Sequence, residues 1–186
     1  MVLDQTFRKQ DFTVSPLPSR EFDNCTFIDC SFQEEHLTSL NFLECSFQDC
    51  NLTNTHWGGT TLNDVVFENC KLLGSNFSVC NPFMLRLRFR ESNLDLSRFS
   101  GLDIKGTVFD NCSLAQTDFT KANLSLASFT KSNLKDATFE NTNLEKADFT
   151  TAIHFNINPN TNRLKAARFS REELSGLLTA FGLKIE

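Results

Sequence analysis

The amino-acid sequence predicts an all-β fold in which parallel strands wind into a square solenoid, with an α-helix at the C-terminal end. Three observations lead to this prediction. Large apolar residues recur at every fifth position, and small residues stand two positions before them. The 186 residues also include 20 Phe but no Tyr, so the chain repeatedly uses a bulky ring without a polar tip.

The five-residue period occurs in two runs. Every fifth residue is large and apolar from Phe22 to Phe77, and again from Leu94 to Phe149. A period of five matches neither the α-helix, with 3.6 residues per turn, nor the strand, with its alternation of two. We therefore expect each pentapeptide to form one side of a square, with its large residue on the axis. Four sides then make one coil of about twenty residues.

The order of the large residues predicts how the interior is filled. From Leu94 to Phe149, Phe alternates with Leu or Ile without exception. With four sides per coil, this alternation places the Phe rings on two opposite sides. We expect each ring to stack on the ring of the next coil at about 4.8 Å, the spacing of hydrogen-bonded strands.

All seven cysteines belong to the small-residue column: Cys25, Cys30, Cys45, Cys50, Cys70, Cys80 and Cys112. A free cysteine behaves as a small buried hydrophobe, so burial alone explains them. Zinc sites favour closely spaced cysteine pairs with further Cys or His ligands, and this spacing is missing. An odd number also leaves one cysteine over in a disulfide framework. We expect neither a metal nor another cofactor.

The repeat units themselves resemble a known family. "KANLS", "KADFT" and "LASFT" are similar to the tandem units of pentapeptide repeat proteins, and the resemblance covers about residues 5–155. It implies a right-handed quadrilateral parallel β-helix. We assign residues 1–155 to this β-helix, and residues 156–186 to a C-terminal loop, helix and short strand for capping or dimerisation.

The two runs are out of frame by two residues, and "SVCNPFMLRLRFRESN" connects them. Pro82 stands where a central apolar residue is due, so we predict an irregular insertion near residues 80–88 that bulges outward. The alternation of Arg and apolar residues from Leu85 to Arg90 predicts a short half-buried strand. Either the stretch only corrects the register, or it contacts a partner. The candidate contact residues are Phe83, Met84, Arg86 and Arg88.

The C-terminal segment has the features of a helix. Ser170 and Glu173 form a capping-box pattern, and Gly182 is a suitable helix stop. Leu183 and Ile185 are expected to add a short strand. The ending resembles that of the Qnr, MfpA and McbG proteins, which implies a homodimer joined head to head. The predicted helix has an apolar stripe that would form the dimer interface: Leu174, Leu177, Leu178 and Phe181.

Acidic residues are concentrated between residues 21 and 77, where nine acids and one base give a net charge of −8. At strand spacing this segment forms about 14 Å of rod, so one net charge falls about every 1.7 Å, close to the axial charge density of duplex DNA. The surface serves either a basic partner or solubility alone. The residues predicted to carry partner contacts are Asp23, Asp29, Glu34, Glu35, Glu44, Asp49, Asp64 and Glu68.

The resemblance to Qnr, MfpA and McbG implies a function. It implies a DNA-mimicking protein that binds a type II topoisomerase, either DNA gyrase or topoisomerase IV, and protects it from quinolones or a peptide toxin. The alternative is a rigid, non-catalytic interaction scaffold without a topoisomerase target. Because a filled rod offers no cleft, we expect no catalytic residues and no small-molecule substrate.

The location of the protein is predicted from what the sequence does not contain. The first residues, "MVLDQTFRKQDF", lack the apolar segment of a secretory signal, and no apolar run approaches the length of a membrane span. We therefore expect a cytoplasmic protein with no membrane partner. An acidic rod repels nucleic acid, so direct nucleic-acid binding is not expected either.

Overall fold

The computed structural model describes residues 1–183. Its regular elements are short strands that follow one another at the repeat spacing, with one short α-helix near the end. The strands, in chain order, are β1 (Val2–Leu3), β2 (Thr6–Arg8), β3 (Glu21–Asp23), β4 (Thr26–Ile28), β5 (Asn41–Leu43), β6 (Ser46–Gln48), β7 (Thr61–Asn63), β8 (Val65–Glu68), β9 (Leu87–Arg90), β10 (Val108–Asp110), β11 (Asp148–Phe149) and β12 (Arg168–Phe169).

All strand pairs are parallel and connect residues one coil apart. β1, β3, β5 and β7 form a four-stranded sheet, and β2, β4, β6, β8, β9 and β10 form a six-stranded sheet in that spatial order. Phe7 pairs with Phe27 in the six-stranded sheet, a step of twenty residues. The other two sides continue as single bridges, such as Ser31 with Asn51 and His36 with His56. The predicted right-handed quadrilateral parallel β-helix is therefore confirmed.

Stacked aromatic rings fill the interior. One side carries an unbroken ladder of nine rings whose successive centroids are 4.6–5.3 Å apart. The ladder consists of Phe7, Phe27, Phe47, Phe67, Phe89, Phe109, Phe129, Phe149 and Phe169. The opposite side stacks Trp57 and four Phe in the same way, and rings of the two sides meet edge to face, as at Phe99 and Phe109 (5.8 Å, 84°). The predicted stacking on two opposite sides is confirmed.

The corners of the square are left-handed backbone positions. The residue that ends a side has a positive φ, for example 54° at Asp29 and 53° at Asn111. Asn, Asp and Gly tolerate this conformation best, which explains why they recur at these positions. A corner side chain points into solvent, so the same geometry that turns the chain also displays its charges.

The insertion adds two residues to one coil. The step between bridged residues is 20 from Asn51 to Lys71 but 22 from Lys71 to Asn93, so two additional residues lie in this coil. Asn81 still donates its backbone N–H to Thr60 (2.9 Å), and Leu87 already pairs with Val65. The bulge therefore lies between Asn81 and Leu87.

Two side chains project into solvent at this bulge. Phe83 and Met84 are 69% and 52% exposed, whereas Leu85 turns inward and joins the core. The backbone N–H of Phe83 donates to the Asn81 side chain (3.0 Å), which shapes the turn. The half-buried strand predicted from the Arg alternation is β9, with Leu87 buried and both of its arginines exposed.

The β-helix continues beyond residue 155, the end predicted from sequence. β12 pairs with β11, and Phe169 stacks on Phe149 with centroids 5.1 Å apart. Leu144 donates its backbone N–H to Arg163 (2.8 Å), which places residues 163–169 on a further coil. The five-residue frame is interrupted at His154, where Phe155 is buried instead, and this interruption concealed the last coil in the sequence.

The C-terminal helix is short. Helix α1 (Ser175–Leu178) is followed by a 3-10 turn (Thr179–Phe181), and Gly182 ends it with a φ of 63°. The hydroxyl of Ser170 accepts the N–H of Glu173 (3.2 Å), but the Glu173 carboxylate accepts the N–H of His154 instead of completing the predicted capping box, and α1 begins only at Ser175. The predicted strand residue Ile185 lies outside the described residues. Within residues 1–183, none of the helices combines the length and the apolar character needed to cross a bilayer.

Gly176 fixes the helix to the last coil. A Cβ atom at this position would lie 2.1 Å from the carbonyl oxygen of Phe155, so only glycine allows this close approach. The backbone N–H of Ile157 donates to the Gly176 carbonyl (2.9 Å). Leu177 packs against the end of the core, and the helix thereby covers part of the last coil.

The ring ladder predicts a large stability difference between two Phe→Ala substitutions. Phe109 is fully buried, whereas Phe83 is 69% exposed. Phe109→Ala removes a ring between two stacked neighbours and should lower the free energy of unfolding by about 3–5 kcal/mol. Phe83→Ala should change it by less than about 0.5 kcal/mol. Urea denaturation followed by circular dichroism measures both, and equal losses would contradict a ladder-filled interior.

Candidate protein-interaction surface

Two rows of carboxylates border the six-stranded sheet. Glu44 and Asp64 stand one coil apart, just before β6 and β8, whereas Asp29 and Asp49 stand one coil apart, just after β4 and β6. All four occupy left-handed corners, with φ between 51° and 55°. Because a strand separates them, the two rows run parallel along the rod on either side of one face.

The other predicted acidic residues lie either close to these rows or on a different side of the square. Asp23 lies at the end of β3, close to the first row, and Glu68 lies at the end of β8, close to the second. Glu34 and Glu35 adjoin a groove on a different side of the square, together with His36. The structure therefore brings six of the eight predicted acidic residues around one face and separates Glu34 and Glu35 from it.

Asparagines moderate the repulsion within the rows. The side-chain amide of Asn69 donates to Asp49 (2.6 Å), and that of Asn24 donates to Asp4 (2.7 Å). Each amide lies one coil away from its carboxylate and gives it a hydrogen bond without neutralising its charge. Asp49 thus keeps its negative charge while it is hydrogen-bonded along the rod.

Arg90 of β9, and Arg86 directly before this strand, have acidic neighbours. Arg90 lies in register between Glu68 and Asp110 in the six-stranded sheet. Arg86 forms an exposed ion pair with Asp64 (3.8 Å), which is weak because both groups remain in water. Arg88 instead has Val66 and Val108 as its neighbours in register. The basic cluster predicted from the sequence therefore contains one uncompensated guanidinium, that of Arg88.

The bulge places an apolar tip beside these arginines. Phe83 and Met84 project there, and among the described residues Phe181 is the other exposed phenylalanine. Exposed aromatic residues that require no rearrangement are common anchors in protein interfaces. Sequence reasoning identified these two residues because they lie in the stretch that connects the two out-of-frame runs.

The C-terminal end carries a second apolar patch. Leu174 and Phe181 are 41% and 51% exposed, and Leu183 beside them is exposed as well. Leu177 and Leu178 are partly buried. Of the four predicted interface residues, the structure thus presents two to solvent and uses the other two partly to hold the helix.

The small polar residues of the corner column donate hydrogen bonds to backbone carbonyl oxygens, and this role is structural. Thr55 donates its hydroxyl to the carbonyl oxygen of Phe32 in the preceding coil (2.8 Å), and Cys50 donates its thiol to that of Phe27 (3.3 Å). All seven cysteines are free and buried. Among residues 1–183, no three His, Cys, Asp or Glu side chains are grouped to hold a metal ion.

Burial also suppresses the reactivity of the thiols. It raises the pKa of Cys45, Cys80 and Cys112 to about 12. A thiolate is the reactive form of cysteine, and these thiols remain protonated at neutral pH. The cysteine column therefore offers no nucleophile at the surface.

The raised thiol pKa values predict a loss of stability in alkali. Because the folded protein holds these protons more tightly than the unfolded chain, the stabilisation is complete below pH about 9 and declines as the pH rises towards 12. The free energy of unfolding should fall by about 1.4 kcal/mol per pH unit for each thiol. Urea denaturation between pH about 8 and about 10.5 measures this slope. Tyrosine does not contribute, because the chain has none.

A Cys45→Ser/Cys112→Ser variant is the matched control for this experiment. Serine already occupies the same corner column at Ser92 and Ser132, where its hydroxyl donates to backbone carbonyls. The double variant should lose stability less steeply with pH than the wild-type protein. An unchanged slope would contradict the assignment to buried thiols.

Sequence reasoning missed one arrangement, the stacking of His36 on His56. Their ring centroids are 4.3 Å apart and the planes differ by 11°. The signal was present in the sequence, because the two histidines are twenty residues apart and both directly precede a central residue. In-register coils place such residues directly above one another.

Comparison with known proteins supports the fold. The structure of QnrB1, described as a plasmid-mediated fluoroquinolone resistance protein, matches 100% of this chain and 91% of its own, with a TM-score of 0.78 and 14% identity. HetL from the cyanobacterium Nostoc, described as involved in heterocyst differentiation regulation, matches 95% of this chain and 89% of its own, with a TM-score of 0.65 and 16% identity. Both likenesses concern the fold.

Sequence comparison identifies the family. Among curated protein sequences, none matches the chain significantly. The family described as "Pentapeptide repeat region" matches residues 20–99 and 80–149, which together are more than half of the chain. This match agrees with the repeat frame, the twenty-residue coil and the stacked interior, and the chain belongs to the pentapeptide repeat family.

Proposed function

We propose that this protein binds a type II topoisomerase, DNA gyrase or topoisomerase IV, by imitating DNA. The observation that carries the proposal is the pair of carboxylate rows on either side of the six-stranded sheet. Glu44 and Asp64 form one row, and Asp29 and Asp49 form the other. Such an enzyme holds DNA in a basic groove, and two parallel rows of negative charge on a rigid rod suit that groove.

The dimensions of the rod support this proposal. Corresponding residues of the two rows, such as Glu44 and Asp49, are five residues apart along an extended side, which is about 16 Å at strand spacing. Along the rod, charges repeat at about 4.8 Å, the distance between coils. The segment between residues 21 and 77 carries a net charge of −8, so the attraction would act over nearly three coils of the rod.

The bulge offers the rod an apolar contact in addition to the DNA-like charge of the rows. Phe83 and Met84 are exposed at the bulge that precedes β9, and Arg88 within β9 has no acidic neighbour in register. We propose that this tip reaches the enzyme near its cleavage site and destabilises the complex with a quinolone or a peptide toxin. The likeness of the fold to QnrB1, a fluoroquinolone resistance protein, supports protection as the outcome.

A homodimer completes the proposal. Leu174 and Phe181 expose apolar surface at the end of the rod. A second copy joined at this end would give the assembly a two-fold axis, which matches the two-fold symmetry of the enzyme. In this arrangement the two acidic halves point away from the interface and lie on both sides of the enzyme's axis.

The protein would act as a binding partner, with no catalytic step. Solenoids of this family are typically non-catalytic, and the rows, the bulge and the apolar end are all contact features. The proposal includes a cytoplasmic location, where the topoisomerase works, and excludes direct contact with nucleic acid because the rows would repel phosphates.

A rigid scaffold without a topoisomerase target is the second candidate. The likeness to HetL, which is described as involved in a developmental process, supports it, because the same fold serves regulation there. The two candidates differ in one observable: only the first requires the protein to change the activity of purified gyrase.

A supercoiling assay with purified gyrase tests the proposal. Added protein should restore supercoiling in the presence of a quinolone, or inhibit it in the absence of the drug. The variant Asp29→Asn/Glu44→Asn/Asp49→Asn/Asp64→Asn removes both rows, and Asn suits the positive φ of all four positions, so the fold should persist. Its half-effective concentration should rise about tenfold or more at low salt.

The control variant removes the same charge elsewhere. Neutralising Asp118, Asp136, Glu140 and Glu145 changes the net charge equally but leaves the rows intact, and it should act like wild type. Phe83→Ala, made in the intact-row background, should bind but protect less. If wild-type protein neither inhibits nor protects at micromolar concentration, the scaffold is the better account.

The dimer is tested at its exposed residues. Phe181→Asp places a charge in the apolar patch and should give a monomer in light scattering, whereas wild type gives a dimer. Leu126→Asp is the matched control, because Leu126 is similarly exposed but lies on the side of the rod, at a left-handed corner that Asp tolerates. A Phe181→Asp protein that remains dimeric would refute the C-terminal interface.

A further inference from the structure

His36 and His56 form a pair that the proposed function does not use. They are bridged in parallel between successive coils, and their rings lie 4.3 Å apart and nearly parallel. Both side chains are exposed to solvent. Within the described part of the chain, neither imidazole has a hydrogen-bond partner, so the ring nitrogens of both are available to a ligand.

The backbone holds the two histidines in place. The N–H of Leu37 donates to the carbonyl of His56 (3.0 Å), and the N–H of His56 donates to the carbonyl of Glu35 (2.9 Å). These bonds belong to the ladder that connects the coils. The backbone therefore holds the two imidazoles next to each other before any ligand arrives, and only the rings themselves have to turn.

We propose that His36 and His56 bind a divalent late transition-metal ion, with Zn²⁺ as the representative ion. Imidazole is a preferred ligand of such ions, with Zn–N distances of about 2.0–2.1 Å. The planes of the two stacked rings now differ by 11°, so their in-plane nitrogen lone pairs run nearly parallel, and both exposed rings have to turn about their side-chain bonds to converge on one ion.

The surrounding groove indicates where the ion lies. Glu34 lines the same groove as the two histidines, and its carboxylate favours a cation at that end, while Arg98 lines the other end and repels one. Gly74 keeps the middle open, because a Cβ atom there would lie 2.3 Å from the Asn54 side-chain oxygen. Water completes the coordination, since no third protein ligand is already in place among residues 1–183.

Bound zinc would connect two successive coils in the acidic half of the rod. It would join side chains twenty residues apart, beside the backbone bonds that already link these coils. The site lies on a different side of the square from the carboxylate rows and does not depend on topoisomerase binding. Its failure and the failure of the proposed function are therefore separate results.

Calorimetric titration with ZnCl₂ tests the site on the full-length protein. We expect one ion per chain for wild type. His36→Asn and His56→Asn should each weaken binding by roughly tenfold or more, because a single imidazole remains. Asn already occupies the same column one coil further on, at Asn76, so both variants should fold, and circular dichroism checks this.

His154→Asn is the matched control. His154 is exposed and contacts Asn133 through its ring (3.1 Å), away from the pair, and its replacement should leave zinc binding unchanged. In wild type, zinc should also slow hydrogen exchange at the amides of Leu37 and His56. Wild-type protein that shows no saturable binding at about a hundredfold excess of zinc would overturn the proposal. Binding as tight in both histidine variants as in wild type would overturn it as well, because other groups of the chain would then hold the zinc.

Discussion

The hydrogen-bonded stacking of each coil on the one before it is the constraint on which the whole structure depends. Because the strands are parallel and in register, the same position of every coil lies in one column, and the Phe column becomes a ladder of nine rings. The insertion shows how strong this constraint is. Two residues are added, yet Phe67 still stacks on Phe89 at 5.3 Å, and the excess is expelled to the surface at Phe83 and Met84.

The same register determines the surface. Side chains twenty residues apart are neighbours, so Asp29 and Asp49 become part of a row, and His36 and His56 become a stacked pair. An isolated carboxylate or imidazole in the sequence thus acquires a partner through the fold. Surface chemistry in this solenoid is therefore a property of columns, and each column can be altered without touching the ladder inside.

Most of the interior could be predicted from sequence, because its period is regular. The ring stacking and the burial of every cysteine followed from counting positions. The last coil could not, because His154 breaks the frame although Leu164 and Phe169 keep it. The surface was harder to predict. Counting acidic residues along the sequence grouped Glu34 and Glu35 with the others. In the structure they lie on a different side of the square from the two rows. The partners of Arg86 and Arg90 also depend on register across the insertion.

The like charges within each carboxylate row repel one another, and the rest of the fold has to offset this repulsion. Two like charges about 4.8 Å apart repel by about 1 kcal/mol in a water-like dielectric. Burial of one Phe ring contributes about 1.5–3 kcal/mol, so the interior can sustain such rows without unfolding. Solubility requires net charge but no alignment, and the same acids spread over four sides would repel less. The left-handed corners favour Asp and Asn and repeat in every coil, which accounts for the alignment of these positions, and the recognition of a basic partner that we propose would use the charge displayed there.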